Sequence, residues 1–367
     1  VGTSWIEIDR RRLLENVRLF RELLGSATKL MAVVKSNAYG HGAHLIAPAL
    51  APNVDWFGVD SLEEAEELSG CGVQKPVLIL GHTDPVDVPR VVDGGFRQVL
   101  FRRDVAEALS RASRESGKPA RVHLKVETGL NRLGVAPAAL KSLVEGLPGL
   151  EIEGVYTHFA DVEDPESRFY RRQLERLGEA VRNFEGSLLT HAVPSAGALL
   201  HPAESLHLAR VGIGLYGIWP SAGARAAAKA RGELSPVLSW KARLAQVKTV
   251  PAGGTVGYDV TYRAPSERRI GIVPAGYADG FDRRLSNRGR VLVRGKSAPV
   301  VGRVAMNMFM VDVTEAGAMD GDEVVLIGEQ AGGVLTADEI ADSIGTIAYE
   351  VLARLSPRLT RRFRESR

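Results

Sequence analysis

The chain has 367 residues, 45% of them hydrophobic and 25% charged, with a formal net charge of +3. That length allows two domains and a large core, and basic and acidic residues are interspersed, so nothing asks for a nucleic-acid partner. A single cysteine, Cys71, excludes an intramolecular disulfide framework, a zinc ribbon and a paired-thiol redox site.

The opening VGTSWIEIDRRRLLENV carries charges within its first residues and no apolar h-region, and no stretch reaches the length of a membrane span. It reads as cytoplasmic, without a membrane partner or a metal site. Residues 10–24 place apolar side chains at helical spacing and predict an amphipathic helix. Strand-like and helix-like stretches then alternate: KLMAVVK with AHLIAPALA, WFGVD with SLEEAEELSG, PVLILG with DPVDVPRVVDG, RQVLF with RDVAEALSRASRESG. RVHLKVE with PAALKSLVEGL, EIEGVYTHF with ESRFYRRQLERLGEAVRNF, LLTHAV with AGALLHPAE, and LHLARVGIGLYG complete eight βα starts before residue 220. Eight short apolar runs with intervening helices predict an α/β fold, an N-terminal (β/α)8 TIM-type barrel over residues 1–235. Small residues in IWPSAGARAAAKARGELSP read as a linker. Beyond it the runs are short, β-branched and turn-separated until TADEIADSIGTIAYEVLARL, which predicts a mostly β C-terminal domain over residues 236–367.

In such a barrel, chemistry sits at the C-terminal ends of the strands. Polar residues interrupt the apolar runs there: Lys35 after the first strand, Lys125 and Glu127 at the fifth, His158 at the sixth, Ser195 at the seventh and Arg210 at the eighth. A lysine at a strand end is half desolvated, which favours a neutral amine able to form a Schiff base. GIGLYG matches the dinucleotide spacing G-x-G-x-x-G, but at the end of the eighth repeat rather than at the start of a βαβ unit. Its glycines still let main-chain N–H groups approach a phosphate, which nominates Gly212 and Ile213 with Tyr39 and Ser195.

The string AVVKSNAYGHGA around Lys35 resembles the pyridoxal-phosphate attachment segment of alanine racemases, and the resemblance extends over nearly the whole chain. It implies a fold-type III pyridoxal-phosphate enzyme, a homodimer with shared active sites, interconverting L- and D-alanine for cell-wall peptidoglycan. Lys35 would carry the cofactor and act as one catalytic base, with Tyr258 of the other subunit as the opposite base. In KVETGLNRLG, Lys125 matches a lysine often carbamylated in the family and Arg132 the arginine that binds the substrate carboxylate. His158 and His191 would be partners of Arg210, which would donate to the pyridine nitrogen. Met306 would offer its backbone N–H to the substrate, and Tyr277 would lie at the substrate site. Two positions depart from the common pattern: Asn307 stands where many members have aspartate, and Pro357 where some have a phosphate-reaching tyrosine. Both put preference for alanine over serine or larger amino acids in question. A cofactor-homeostasis protein would share only the barrel, and a decarboxylase of this fold type typically brings a cysteine from its second domain.

Overall fold

The computed structural model describes residues 2–182, 184 and 187–364. They form two compact units, one of Arg11–Ala38 with Ile46–Ser235, the other of Val1–Arg10 and Tyr39–Leu45 with Pro236–Arg367. Strand β1 (Ser4–Ile8) lies in the second unit. Ser4–Ile8 falls inside the expected 1–235 span but pairs through backbone hydrogen bonds with the C-terminal sheet, and the eight expected barrel strands begin with KLMAVVK.

The first unit is the predicted barrel. Its parallel strands are β2 (Lys29–Val33), β3 (Trp56–Val59), β4 (Val77–Ile79), β5 (Arg97–Leu100), β6 (Ala120–Lys125), β7 (Leu150–Tyr156), β8 (Leu189–His191) and β9 (Leu208–Val211). Hydrogen bonding runs β8-β7-β6-β5-β4-β3-β2-β9. The two ends meet where His207 and Arg210 donate from their backbone nitrogens to Thr190 and Val193. Strands covered on both faces need apolar residues at nearly every position. Accordingly β2 reads KLMAV with all but Lys29 buried. Met31, Trp56, Leu78, Val99, Tyr156 and Leu208 form one core cluster inside this unit. The helix Arg10–Leu24 buries Leu13, Val17, Phe20 and Leu24, one stripe at 3.6-residue spacing.

Two expected features change. PAALKSLVEGL forms only a 3-10 turn at Pro137–Ala139 and further turns, because the segment is short and closes on Gly146, Pro148 and Gly149. The supposed linker contains the helix Ala222–Ala228, begun by Ser221, whose hydroxyl accepts from Ala224 N at the N-cap.

In the second unit, strands β10 (Leu238–Arg243), β11 (Gln246–Val250), β12 (Thr255–Val256), β13 (Tyr262–Arg263), β14 (Arg268–Val273), β15 (Arg290–Val293), β16 (Lys296–Pro299), β17 (Phe309–Asp312), β18 (Glu323–Gln330), β19 (Gly333–Leu335) and β20 (Thr360–Phe363) make it mostly β. The main sheet runs β16-β15-β18-β10-β1-β20, with β11-β14-β17 as a second sheet. The single helix expected near the C-terminus is two, Ala337–Ile344 and Ala348–Ala353. Gly345 separates them with φ +71°, a left-handed cap that ends a helix.

Candidate active site

Lys35 follows β2 and begins an unusual turn. Ser36, Asn37, Ala38 and Tyr39 have φ of 53°, 53°, 53° and 52°. Left-handed backbone costs an L-residue roughly 1–2 kcal/mol, so such a run persists only where surroundings hold it. Glu64 supplies part of that hold, accepting from Ser36 N at 2.6 Å through Oε1 and from Asp60 N at 2.7 Å through Oε2. Asp60 in turn pairs with Lys35, Oδ1 to Nζ at 3.1 Å. The expected desolvated amine is thus a partly exposed one with an acidic partner. Sequence reading missed both acids. Asp60 ends the WFGVD run, so the strand-end rule that found Lys35 reaches it as well.

Arg210, from β9, is the hub of the barrel interior, 4% exposed. It donates from Nη1 to His191 Nδ1 at 2.7 Å, and from Nη2 to His158 Nδ1 at 3.0 Å and to the carbonyls of Thr157 and Ala192, both at 2.9 Å. Burial first, and the arginine's charge second, push both histidines well below the ordinary imidazole range, so each is a neutral acceptor. All these bonds come from the two terminal nitrogens, which leaves Nε as the donor for a ligand. Burial lowers Arg210 itself to about 10, still protonated at neutral pH. Lys125, buried at the end of β6, is lowered to about 8 by desolvation and then by the charges of Arg210 and Arg132. Lys35 adds to the same field, and Glu127 opposes it. Arg132 is exposed and has no ion-pair partner among the described residues. The electrostatic neighbours of Lys125 and His158 thus include Lys35, Arg132 and Arg210, of which Lys35 and Arg210 are expected from strand ends and Arg132 from the resemblance. His123, on β6, was not foreseen: its Nδ1 lies 2.7 Å from His191 Nε2.

Ser195 opens the helix Ser195–Leu200, and its hydroxyl accepts from Gly212 N at 3.0 Å and Gly214 N at 3.3 Å. The Gly212 N–H is thus already engaged by Ser195. Ile213, first residue of a 3-10 turn, has an N–H without an intrahelical acceptor.

The remaining expected residues lie in the second unit. Tyr258 is 71% exposed and lines, with Met306, Asn307, Met308 and Arg303, an open cavity of about 550 Å³. Tyr277, also exposed, donates its backbone N–H to Ala305 O at 3.2 Å, which brings it beside Met306. Tyr39 lies 6.2 Å from Tyr349, centroid to centroid. Pro357 offers only its carbonyl, which accepts from Arg361 Nη1 at 3.4 Å.

These residues fit pyridoxal phosphate. The barrel rim offers a lysine for attachment, a buried protonated donor with Nε to spare for a ring nitrogen, and a hydroxyl flanked by main-chain N–H groups for a phosphate. Comparison with known proteins agrees. The family model for the N-terminal domain of alanine racemase matches residues 8–220, and that for the C-terminal domain matches residues 237–363. An alanine racemase of Symbiobacterium thermophilum is 41% identical, over 98% of this chain and 96% of its own. One from Desulfosudis oleivorans is 40% identical over the same shares. Among solved structures, the Bacillus anthracis alanine racemase with bound L-Ala-P has a TM-score of 0.93 at 33% identity, covering 100% of this chain and 96% of that one. The Bartonella henselae enzyme with covalently bound pyridoxal phosphate has a TM-score of 0.87 at 28% identity, covering 99% and 100%. A model match spanning both halves, with relatives of this identity along its full length, establishes that the chain belongs to the alanine racemase family.

Proposed function

We propose that this chain is a pyridoxal-phosphate-dependent racemase that interconverts L- and D-alanine, supplying D-alanine for peptidoglycan, through Lys35 and Tyr258. The observation that carries the reading is the ring-nitrogen partner: Arg210 is buried, bonded to two neutral histidines, and has no carboxylate partner among the described residues. When bound, the cofactor supplies an electron sink for the pair left at the α-carbon once its proton is removed. An arginine can only donate, so Arg210 Nε would meet an unprotonated ring nitrogen and would keep that sink weak.

Racemisation needs an acid/base group on each face of the α-carbon, because one base alone returns the proton to the side it left. Lys35 Nζ serves one face. Tyr258 Oη serves the other, contributed by a second copy in a homodimer with shared sites. The exposure of Tyr258 supports this, since an acid/base tyrosine left in open water would be poorly oriented for proton transfer. Tyr39, Ser195 and the Ile213 N–H hold the phosphate, and the Gly212 N–H joins them by leaving the Ser195 hydroxyl that it meets in the ligand-free site. Arg132, the Met306 N–H and Tyr277 orient the substrate, while Lys125, His191 and Asn307 stand behind them. Residues 1–235 thus bind the cofactor and 236–367 bring the second base. No helix among the described residues is long and apolar enough to cross a membrane. A cytoplasmic enzyme is the consistent reading.

The test is to add pyridoxal phosphate and L-alanine and follow D-alanine by chiral separation. Borohydride reduction and peptide mapping should then place the pyridoxyl group in AVVKSNAYGHGA. Amine or no product overturns the activity, and label on Lys125 overturns the role of Lys35. A panel including L-serine reads the consequence of Asn307 and Pro357.

A further inference from the structure

Behind Arg210 the barrel interior holds a chain of polar groups that the reaction does not account for. His191 Nε2 lies 2.7 Å from His123 Nδ1, and both rings are fully buried. His123 Nε2 is 3.8 Å from Glu153 Oε2, an electrostatic approach rather than a hydrogen bond. Arg97 grips Glu153 with two bonds, Nε at 2.9 Å and Nη2 at 3.2 Å. These bonds have a forced direction. A guanidinium only donates, so His191 Nδ1 must accept from Arg210 and its proton must sit on Nε2. His191 Nε2–H then donates to His123 Nδ1, and the His123 proton sits on Nε2, toward the Glu153 carboxylate.

The surrounding residues are built for that contact. Gly154 lies opposite His123 in the β6–β7 ladder, and a Cβ there would stand 2.6 Å from His123 Nδ1, the accepting atom. Tyr156 stacks on His191 at 4.6 Å, and Trp56 meets the His123 ring edge-on at 5.3 Å. Both imidazoles are thereby held in plane with few rotational alternatives.

We propose that His123 is a positioning residue for the ring-nitrogen site: it accepts from His191, and so presents the His191 Nδ1 lone pair to Arg210 and fixes the guanidinium that meets the cofactor. The inference rests on the reading of Arg210 as the partner of the ring nitrogen. Without the acceptor, the His191 Nε2–H is left unpaired in a dry interior, and the ring relieves this only by turning away from Arg210. Asn replaces an imidazole Nδ1 with an oxygen at nearly the same place, whereas Leu fills the volume with no acceptor.

The experiment has two readouts on the full chain. Long-range ¹H–¹⁵N spectra of histidine-labelled protein, with and without pyridoxal phosphate, should show His191 and His123 both neutral and protonated on Nε2. A His191 proton on Nδ1 overturns the proposal, whatever the activity. In holoenzyme, His123→Leu should lower kcat for alanine about 10–100-fold, the range that outer partners of metal ligands show, with KM nearly unchanged and the bound-cofactor absorbance shifted. His123→Asn should stay within a few-fold of the unaltered protein. Equal kcat and spectra for the Leu and Asn variants would refute the role. Should His123→Leu fail to fold, the tautomers of the unaltered protein and the His123→Asn rates decide. Absence of D-alanine from the unaltered protein would refute the functional reading and leave the tautomer result standing.

Discussion

Arg361 offers a quantitative test of how the Tyr39–Gly42 segment is held. It is 7% exposed, and burial lowers its pKa with no carboxylate among the described residues to offset the effect. Its donors go to five carbonyls: Gly40 at 2.9 Å, Leu359 at 2.9 Å, Ser356 at 3.0 Å, Leu355 at 3.2 Å and Pro357 at 3.4 Å. The fit is close on both sides. A Cβ on Gly40 would lie 2.0 Å from Leu352 O, and one on Gly42 would lie 2.7 Å from Arg361 Cδ. Arg361→Met keeps much of the stem and removes every donor. The three shorter bonds, each from a charged donor, are worth about 2 kcal/mol apiece, about 6 kcal/mol together. Relieving a buried cation returns several kcal/mol, about half of that total. The net loss is then about 3 kcal/mol, which for a unit of this size is a fall in Tm of roughly 6–12 °C. Thermal unfolding by circular dichroism measures it, with the exposed Arg358→Met as a control that should move little. Cofactor affinity, by equilibrium dialysis, should fall with it because Gly40 adjoins Tyr39. A variant that melts within about 2 °C of the unaltered protein, or above it, would mean that the desolvation penalty cancels the bonds and the clamp holds nothing.

Lys125, lowered from 10.5 to about 8 by burial and its cationic neighbours, binds protons more weakly folded than unfolded. Its penalty is therefore full below about pH 8 and is relieved as pH rises to 10.5, so stability should climb across that window and Lys125→Met should lack the climb. The lowered pKa enlarges the neutral fraction of this amine among cations, and that fraction should take up carbon dioxide. Protein equilibrated with ¹³C-bicarbonate should show a carbamate carbon that Lys125→Met lacks, and its absence would leave Lys125 as a plain amine. For the proposed shared site, Lys35→Ala and Tyr258→Phe should each lose about 10²–10⁴-fold in racemisation. Random mixing makes half the dimers mixed with one intact site each, so co-refolding should restore about a quarter of the activity. No recovery despite demonstrated exchange would place both bases in one chain or remove Tyr258 from the reaction.

The barrel was legible because strands covered on both faces leave near-continuous apolar runs, and because its polar interruptions fall at strand ends. What escaped was whatever depends on pairing distant in sequence. Ser4–Ile8 looks like any opening strand, and only the hydrogen bonds to Leu238–Arg243 and Thr360–Phe363 assign it. His123 escaped for a subtler reason. In RVHLKVE it lies two residues before Lys125 and so on the same face of the strand, pointing where Lys125 points. That parity was readable, and the glycine opposite it in EIEGVY marks the room a ring would need. Asp60, at the end of WFGVD, was open to the strand-end rule that found Lys35, whereas Glu64 was hidden by a helical pattern, since in SLEEAEELSG an acid that caps a distant turn looks like an ordinary solvated face.

The distribution of charge explains why this rim is suited to anions and little else. Lys35, Lys125 and Arg132 join the buried Arg210, with Glu127 opposing them and Asp60 paired to Lys35. Two of the four cations are pulled down toward neutrality, to about 8 and about 10. Their burial and mutual repulsion are costs the fold carries without a ligand. A phosphate and a carboxylate bring the opposite charge to the same small volume, where low polarity makes each interaction stronger than in water. Ligand binding and the folding of the barrel interior are therefore coupled: the electrostatic penalty that lowers Lys125 and Arg210 is the free energy that an anionic cofactor and an anionic substrate release on arrival. Replacing Arg210 with an acid would lower that penalty in the empty barrel, and would weaken anion binding for the same reason.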